Sequence, residues 1–308
     1  MHSRVKIAPL LLFTCLSLAL ISACTTPIPK GGSFSASTGP ATGIPIVAAE
    51  NFYGDLFKQI GGAYVSVTSV LSDPNVDPHQ YESSIQNAVT ISNASIVIEN
   101  GNGYDTWMDK LLSASPNADR IVLSATTIAG NKLPDNPHVW YDIHNMIAIA
   151  QSMDAALKKV DSAHASTYDR NLQTVIQALT QVIQKMDSIK GRYARTPVGL
   201  TEDIFLYQAQ ALDLNVLTPI EFQKAIAEGN DPPADTVISA NNQVSQHLIR
   251  VLIYNEQTVT PITTNLENAA QQNHIPVVPV TETMPHGKTY QQWMLDQLTL
   301  LEQALQMK

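Results

Sequence analysis

From Ile44 onward the chain alternates short apolar runs with stretches of helical period. Residues 44–50 (IPIVAAE), 64–71 (YVSVTSVL), 95–100 (SIVIEN) and 120–125 (RIVLSA) read as buried strands, because each is a brief run of β-branched or small apolar residues closed by polar ones. Between them lie amphipathic segments, FYGDLFKQIGG, SSIQNAVTISNA and YDTWMDKLLS, whose apolar positions recur at helical spacing. The same grammar restarts after residue 195 with PVGLTE, NVLTP, VLIYNEQ and PVVPVTE. Strand and helix in regular alternation predict a mostly parallel sheet flanked by helices, and its occurrence twice predicts two α/β lobes. Between the two, Leu172, Val175, Ile176, Leu179, Val182, Ile183, Met186 and Ile189 form one apolar stripe at spacings of three and four. Neither Gly nor Pro interrupts Ser162 to Lys190, so a single long, rigid helix of about seven turns should join the lobes. The expected layout is a first lobe over 44–160, a connecting helix over 161–192 and a second lobe over 193–308.

The beginning of the chain follows different rules. MHSRVK carries Arg4 and Lys6 and runs into IAPLLLFTCLSLALI, which ends in Ile21-Ser22-Ala23-Cys24. That is the pattern of a secretory signal peptide over 1–23, and its apolar run falls short of the roughly 20 residues that a membrane-spanning helix needs. The stretch around Cys24 resembles a bacterial lipobox, which implies that this cysteine is lipidated and becomes the first mature residue. Residues 24–43 would then form a lipidated cysteine and a flexible tether, since 25–43 are rich in Gly, Ser, Thr and Pro and poor in large apolar groups. The expected location is extracytoplasmic, held to the membrane by lipid.

Charge and cysteine count narrow the chemistry. The full chain carries 18 basic and 27 acidic side chains; losing Arg4 and Lys6 with the signal shifts the formal charge from −9 to −11. Without a basic surplus to displace counterions, nucleic acid is not an expected partner. The chain has two cysteines, Cys15 in the signal and Cys24 at the lipidation position, so the mature chain offers no thiol for a disulfide or a thiolate metal site. Gly-rich phosphate loops, Walker sequences and nucleophile elbows are also absent from the sequence.

In open α/β sheets, ligands bind beyond the carboxyl ends of the strands. Four polar groups stand there: Asp77-Pro78-His79-Gln80-Tyr81-Glu82, Asn136-Pro137-His138-Val139-Trp140, Thr201-Glu202-Asp203 and Thr281-Glu282-Thr283. A proline before each of His79 and His138 restricts the backbone and gives the imidazole a defined approach. Two imidazoles and two carboxylates make a nitrogen–oxygen set with a ligand charge of about −2, suited to a divalent ion. Too few oxygens are present for a calcium or magnesium cage, and no thiolate for Cu(I), which leaves Zn(II) and Mn(II). Asp77, Asn136 and Asp142 are candidates to orient those ligands, with turn or helix-cap duty as the competing role for the two aspartates. His286 is read as a loop residue, and His144, His164, His247 and His274 as structural.

The order DPHQYE, NPHVW, TEDIF and VTETMPHGKTYQQWM resembles the zinc and manganese class of solute-binding proteins of ABC importers, from about Ile44 to the C-terminus. The resemblance implies metal ligands at His79, His138, Glu202 and Glu282, a Zn(II) or Mn(II) ion bound as cargo, delivery to a membrane permease, and a monomer without enzymatic activity. Zinc-dedicated members commonly place a third histidine where Glu202 stands, and manganese members an aspartate where Glu282 stands, so the metal stays open between the two. A metal-dependent hydrolase using the same residues and a metal-independent surface adhesin are the alternatives.

Overall fold

The structure is a computed structural model that describes residues 43–307 apart from 74, 75, 77–80 and 82. The signal segment, Cys24 and nearly all of the tether lie outside the described residues, as do Asp77 and His79. No helix among the described residues is long and apolar enough to cross a membrane.

The first half runs β1 (Ile44–Glu50), α1 (Asn51–Gly61), β2 (Val65–Leu71), α2 (Ile85–Ser92), β3 (Ile96–Glu99), α3 (Thr106–Ala114), β4 (Ile121–Ser124), α4 (Ala125–Ile128) and α5 (Ile143–Val160). After α6 (Ala165–Tyr193), the second half runs β5 (Pro197–Leu200), α7 (Leu206–Ala211), β6 (Asn215–Val216), α8 (Ile220–Ala227), α9 (Ala234–Ser245), β7 (Val251–Asn255), α10 (Pro261–Gln272), β8 (Val277–Val280) and α11 (Tyr290–Gln306). Each half contains one four-stranded sheet, ordered β2-β1-β3-β4 and β6-β5-β7-β8, and every pairing is parallel. The order reverses between β1 and β3 and again between β5 and β7, and these two switch points open crevices at the strands' carboxyl ends. The two-lobed α/β reading of the sequence is what the chain adopts.

The apolar runs form parallel strands because both faces of each sheet are covered. Along β1, Ile46 and Ala48 enter one core cluster while Val47 and Ala49 enter another on the opposite face. The strand expected over NVLTP is only two residues long, an edge strand closed by Thr218 and Pro219. On α1, Gly54 lets the helix lie close on β2: a Cβ there would stand 2.1 Å from Ser69 Oγ. That approach turns Asn51, Asp55 and Gln59, spaced by four, along one half-buried stripe.

The 29-residue helix α6 is about 43 Å long at the usual rise. It buries Tyr168, Leu172, Val175, Leu179, Val182, Met186 and Ile189, with Ile176 and Ile183 at the margin of the stripe. The largest core cluster includes these residues together with Ile46 and Ile98 of the first sheet, Val198 and Ile253 of the second, and Leu298 and Leu301 of α11. A continuous apolar seam therefore runs through both lobes and the helix between them.

Candidate metal centre

Glu202 follows β5 at the second sheet's switch point, and Glu282 follows β8 in the same sheet. Both are buried, at 1% and 0% exposure, and so is His138 of the first lobe at 1%. A single side chain ties the two acids together. Asn255, at the end of β7, donates its amide to Glu202 Oε2 at 2.9 Å and to Glu282 Oε1 at 2.8 Å. Across the lobes, Tyr104 OH donates to Glu282 Oε2 at 2.9 Å, and His138 Nε2 lies 3.9 Å from that same oxygen. Glu202 Oε1 is buried and makes no hydrogen bond to any described residue.

The orientation of His138 is set locally. Asn136 Oδ1 accepts the His138 backbone N–H at 2.9 Å and faces Nδ1 of the ring at 3.0 Å. Asp203 Oδ1 stands 3.4 Å from Nδ1, and the Asn136 amide donates to the Asp203 carbonyl at 2.7 Å, which links the two lobes beside the imidazole. Two acceptors at Nδ1 favour the tautomer with its proton there and leave Nε2, on the Glu282 side, as the electron-pair donor. Asn136 therefore stands beside the ring that it was expected to orient. Asp142 does not: its carboxylate caps α5 through the N–H groups of His144 and Asn145 and accepts from Asn131 Nδ2, which is the competing cap role.

Burial dominates the electrostatics. The Glu202 carboxyl is pushed well above the usual carboxylate range, first by desolvation and then by the charge of Glu282, with the Asn255 hydrogen bond offsetting part of the shift. The Tyr104 phenol is raised by burial and by the same Glu282. Aromatic rings seal one side, with Tyr104, Trp140 and His138 within 6 Å of one another by ring centroids and Phe52 stacked on Trp140 at 4.9 Å. A cavity of about 180 Å³ reaches His138 and Asp203 between Tyr104, Asp135 and Lys224.

Three of the four expected ligand residues therefore meet at one buried place, and the fourth, His79, lies outside the described residues. Among the described residues, no three His, Cys, Asp or Glu side chains close into a metal cluster. Asn255, Gln257 and Tyr104 were not singled out by the sequence, and Asp203 was read only as part of Thr201-Glu202-Asp203, although all surround the acids. The weak signal available was the polar NEQ that ends the apolar run VLIY. The other described histidines stand apart: His286 and His144 are exposed, His164 stacks on Tyr64, and His247 and His274 take positive φ at helix ends.

Paired α/β lobes that enclose polar side chains at facing strand ends are the architecture of a solute-binding protein. Residues 46–304 match the family described as the periplasmic zinc-uptake complex component A, and the chain belongs to that family. SloC of Streptococcus mutans, a metal ABC transporter substrate-binding lipoprotein, is 29% identical over 224 residues, covering 67% of this chain and 68% of its own. The manganese ABC transporter substrate-binding lipoprotein scaA of Streptococcus gordonii is 26% identical over 162 residues, which is 47% of this chain and 51% of that protein. Among solved structures, the periplasmic zinc-binding protein TroA from Treponema pallidum superposes with a TM-score of 0.70 at 19% identity, covering 84% of this chain and 98% of that one. A manganese-bound periplasmic metal-binding protein from Candidatus Liberibacter asiaticus gives 0.68 at 17%, with the same coverage. The family consists of extracytoplasmic solute-binding proteins of metal uptake rather than enzymes, which removes the hydrolase reading.

Proposed function

We propose that the protein captures a divalent transition-metal ion, Zn(II) or Mn(II), between its lobes and hands it to the permease of an ABC importer, with His79, His138, Glu202 and Glu282 as ligands. The observation that carries this reading is the pair of buried carboxylates held on one amide, with an imidazole nitrogen 3.9 Å from one of them. Two acids side by side in a water-poor interior repel each other, and a divalent cation relieves that repulsion as no neutral ligand can. The donor set fits such an ion: imidazole nitrogen suits zinc, and two carboxylates capable of bidentate binding suit manganese. Relatives are named for manganese and for iron and a structural neighbour for zinc, so the ion is chosen by test.

The remaining features complete the proposal. Cys24 carries the lipid, residues 25–43 tether the domain, the lobes span 44–160 and 193–308 around a connecting helix at 161–192, and the protein acts as a monomer. Relatives named as lipoproteins support the anchor. The test is a thermal melt of chelator-treated protein with and without each ion. Stabilisation by Zn(II) or Mn(II), abolished by His79→Ala combined with Glu202→Ala, is expected; an unchanged melt under both ions overturns the reading.

A further inference from the structure

The loop that carries Glu282 has no strand or helix of its own between Val280 and Tyr290, so its backbone groups need other partners. Four successive N–H groups find them on side-chain amides. Gln297 Oε1 accepts from Thr281 at 3.2 Å, Gln257 Oε1 accepts from Glu282 at 2.5 Å and from Thr283 at 3.0 Å, and Asn51 Oδ1 accepts from Met284 at 3.0 Å. Gln257 and Gln297 belong to the second half of the chain, as the loop does. Asn51 belongs to the first lobe, at the start of α1. It also donates Nδ2 to the Met284 carbonyl at 2.7 Å, so its carboxamide engages both backbone groups of one residue, as a strand neighbour would in a ladder.

We propose that Asn51 is a positioning residue for Glu282: from the first lobe it fixes the second-lobe ligand loop, so that this carboxylate reaches its binding position only when the lobes are together. The inference rests on the reading of Glu282 as a metal ligand. The geometry is selective because the stripe continues along α1 with different partners. Asp55 Oδ2 accepts the Tyr290 N–H at 2.9 Å, at the start of α11, and Gln59 exchanges two amide hydrogen bonds of 3.0 Å with Gln291. Those contacts clasp the lobes at a distance from Glu282, whereas Asn51 acts two residues from it. Gln257 extends the coupling, since its Nε2 reaches the Val76 carbonyl at 3.3 Å, three residues before His79 in the sequence. Rigid support of a ligand from outside its own lobe makes ion affinity depend on closure.

The experiment measures Zn(II) and Mn(II) affinity by chelator competition, and release by stopped flow, for the full chain and for Asn51→Ala, Asn51→Asp and Gln59→Ala. Asn51→Asp keeps the size of the side chain but turns a carboxylate oxygen toward the Met284 carbonyl. Loss of two ordinary hydrogen bonds at the ligand loop should weaken binding about tenfold in Asn51→Ala, by at least as much in Asn51→Asp, and mainly through faster release. Gln59→Ala should change affinity less than about twofold while lowering the metal-free melt, as loss of a clasp distant from the ligand would. In a Glu282→Gln background, Asn51→Ala should have no further effect on affinity. The proposal is overturned if folded Asn51 variants bind within about twofold of the parent, if Gln59→Ala weakens binding equally, or if the Asn51 effect persists in full without the Glu282 carboxylate. Failure of the parent to bind either ion overturns the metal reading itself, and this one with it.

Discussion

Asn255 provides the sharpest test of the buried site, because one amide serves both acids. Its Nδ2 lies 2.9 Å from Glu202 Oε2, 2.8 Å from Glu282 Oε1 and 3.2 Å from Thr258 Oγ1, while its Oδ1 accepts the Gln257 N–H at 3.0 Å. In Asn255→Ala both carboxylates lose a donor. A hydrogen bond to a charged group contributes about 1.5–3 kcal/mol. In the metal-free protein, burial and Glu282 hold the Glu202 carboxyl well above its ordinary pKa, so that group gains little there from a donor; with an ion bound, both groups are carboxylates. The difference between the two states is therefore about one charged hydrogen bond, which corresponds to roughly 10- to 150-fold weaker binding. The orphaned Gln257 N–H adds a separate cost of about 1–3 kcal/mol to folding, which the metal-free melt reads independently. Chelator competition with Zn(II) and Mn(II) at one pH, on protein shown by circular dichroism to be folded, gives the affinity ratio. A change of less than about threefold for both ions would refute the role assigned to Asn255.

Glu50, at the end of β1, is fully buried, and its carboxyl oxygens make no hydrogen bond to any other described residue. Desolvation, and then the charge of Asp105, raises its pKa well above normal. An acid that holds its proton when folded but releases it near its ordinary pKa of about 4.3 when unfolded makes stability fall as pH rises above that value, by up to about 1.4 kcal/mol per pH unit. Glu50→Gln should thus match the parent near pH 4 and gain on it steadily toward pH 7 in chelated melts; parallel curves would contradict this. Leu179, buried at the middle of α6 within the seam common to both lobes, should cost about 2–5 kcal/mol on replacement by Ala, in one cooperative denaturant transition. Two separated transitions would show that the seam does not unite the lobes.

What the sequence made legible was whatever depends on near neighbours. The α6 stripe could be read because spacings of three and four place Leu172, Val175, Leu179 and Val182 on one face wherever the helix packs. The β1 and β3 runs were readable because strands covered on both faces are apolar throughout. His138 belonged to the same class, since Asn136, two residues earlier, supplies its Nδ1 partner. Asp142 shows local reasoning settling between two roles, with the first turn of α5 offering N–H groups closer than any imidazole. The shortened β6 illustrates the reverse: at a sheet edge, tertiary pairing decides how much of NVLTP stays extended.

Asn255, Gln257 and Asn51 were out of reach for a different reason. Asn255 meets acids 53 and 27 residues away, Gln257 meets Thr283 at a separation of 26, and Asn51 meets Met284 at 233. Asn255, a lone amide on the otherwise apolar β7, carries no periodic signal, and its contacts exist only once the strand order brings β7 between β5 and β8. The asymmetry has a physical origin. The acids project from strand ends, where chain direction alone puts them, whereas the amides that hold them must come from whichever segment the fold makes adjacent. In this protein Asn255, Gln257 and Gln297 come from the same half of the chain as the acids and Asn51 from the first lobe, so the segment that carries Glu282 is held from both sides.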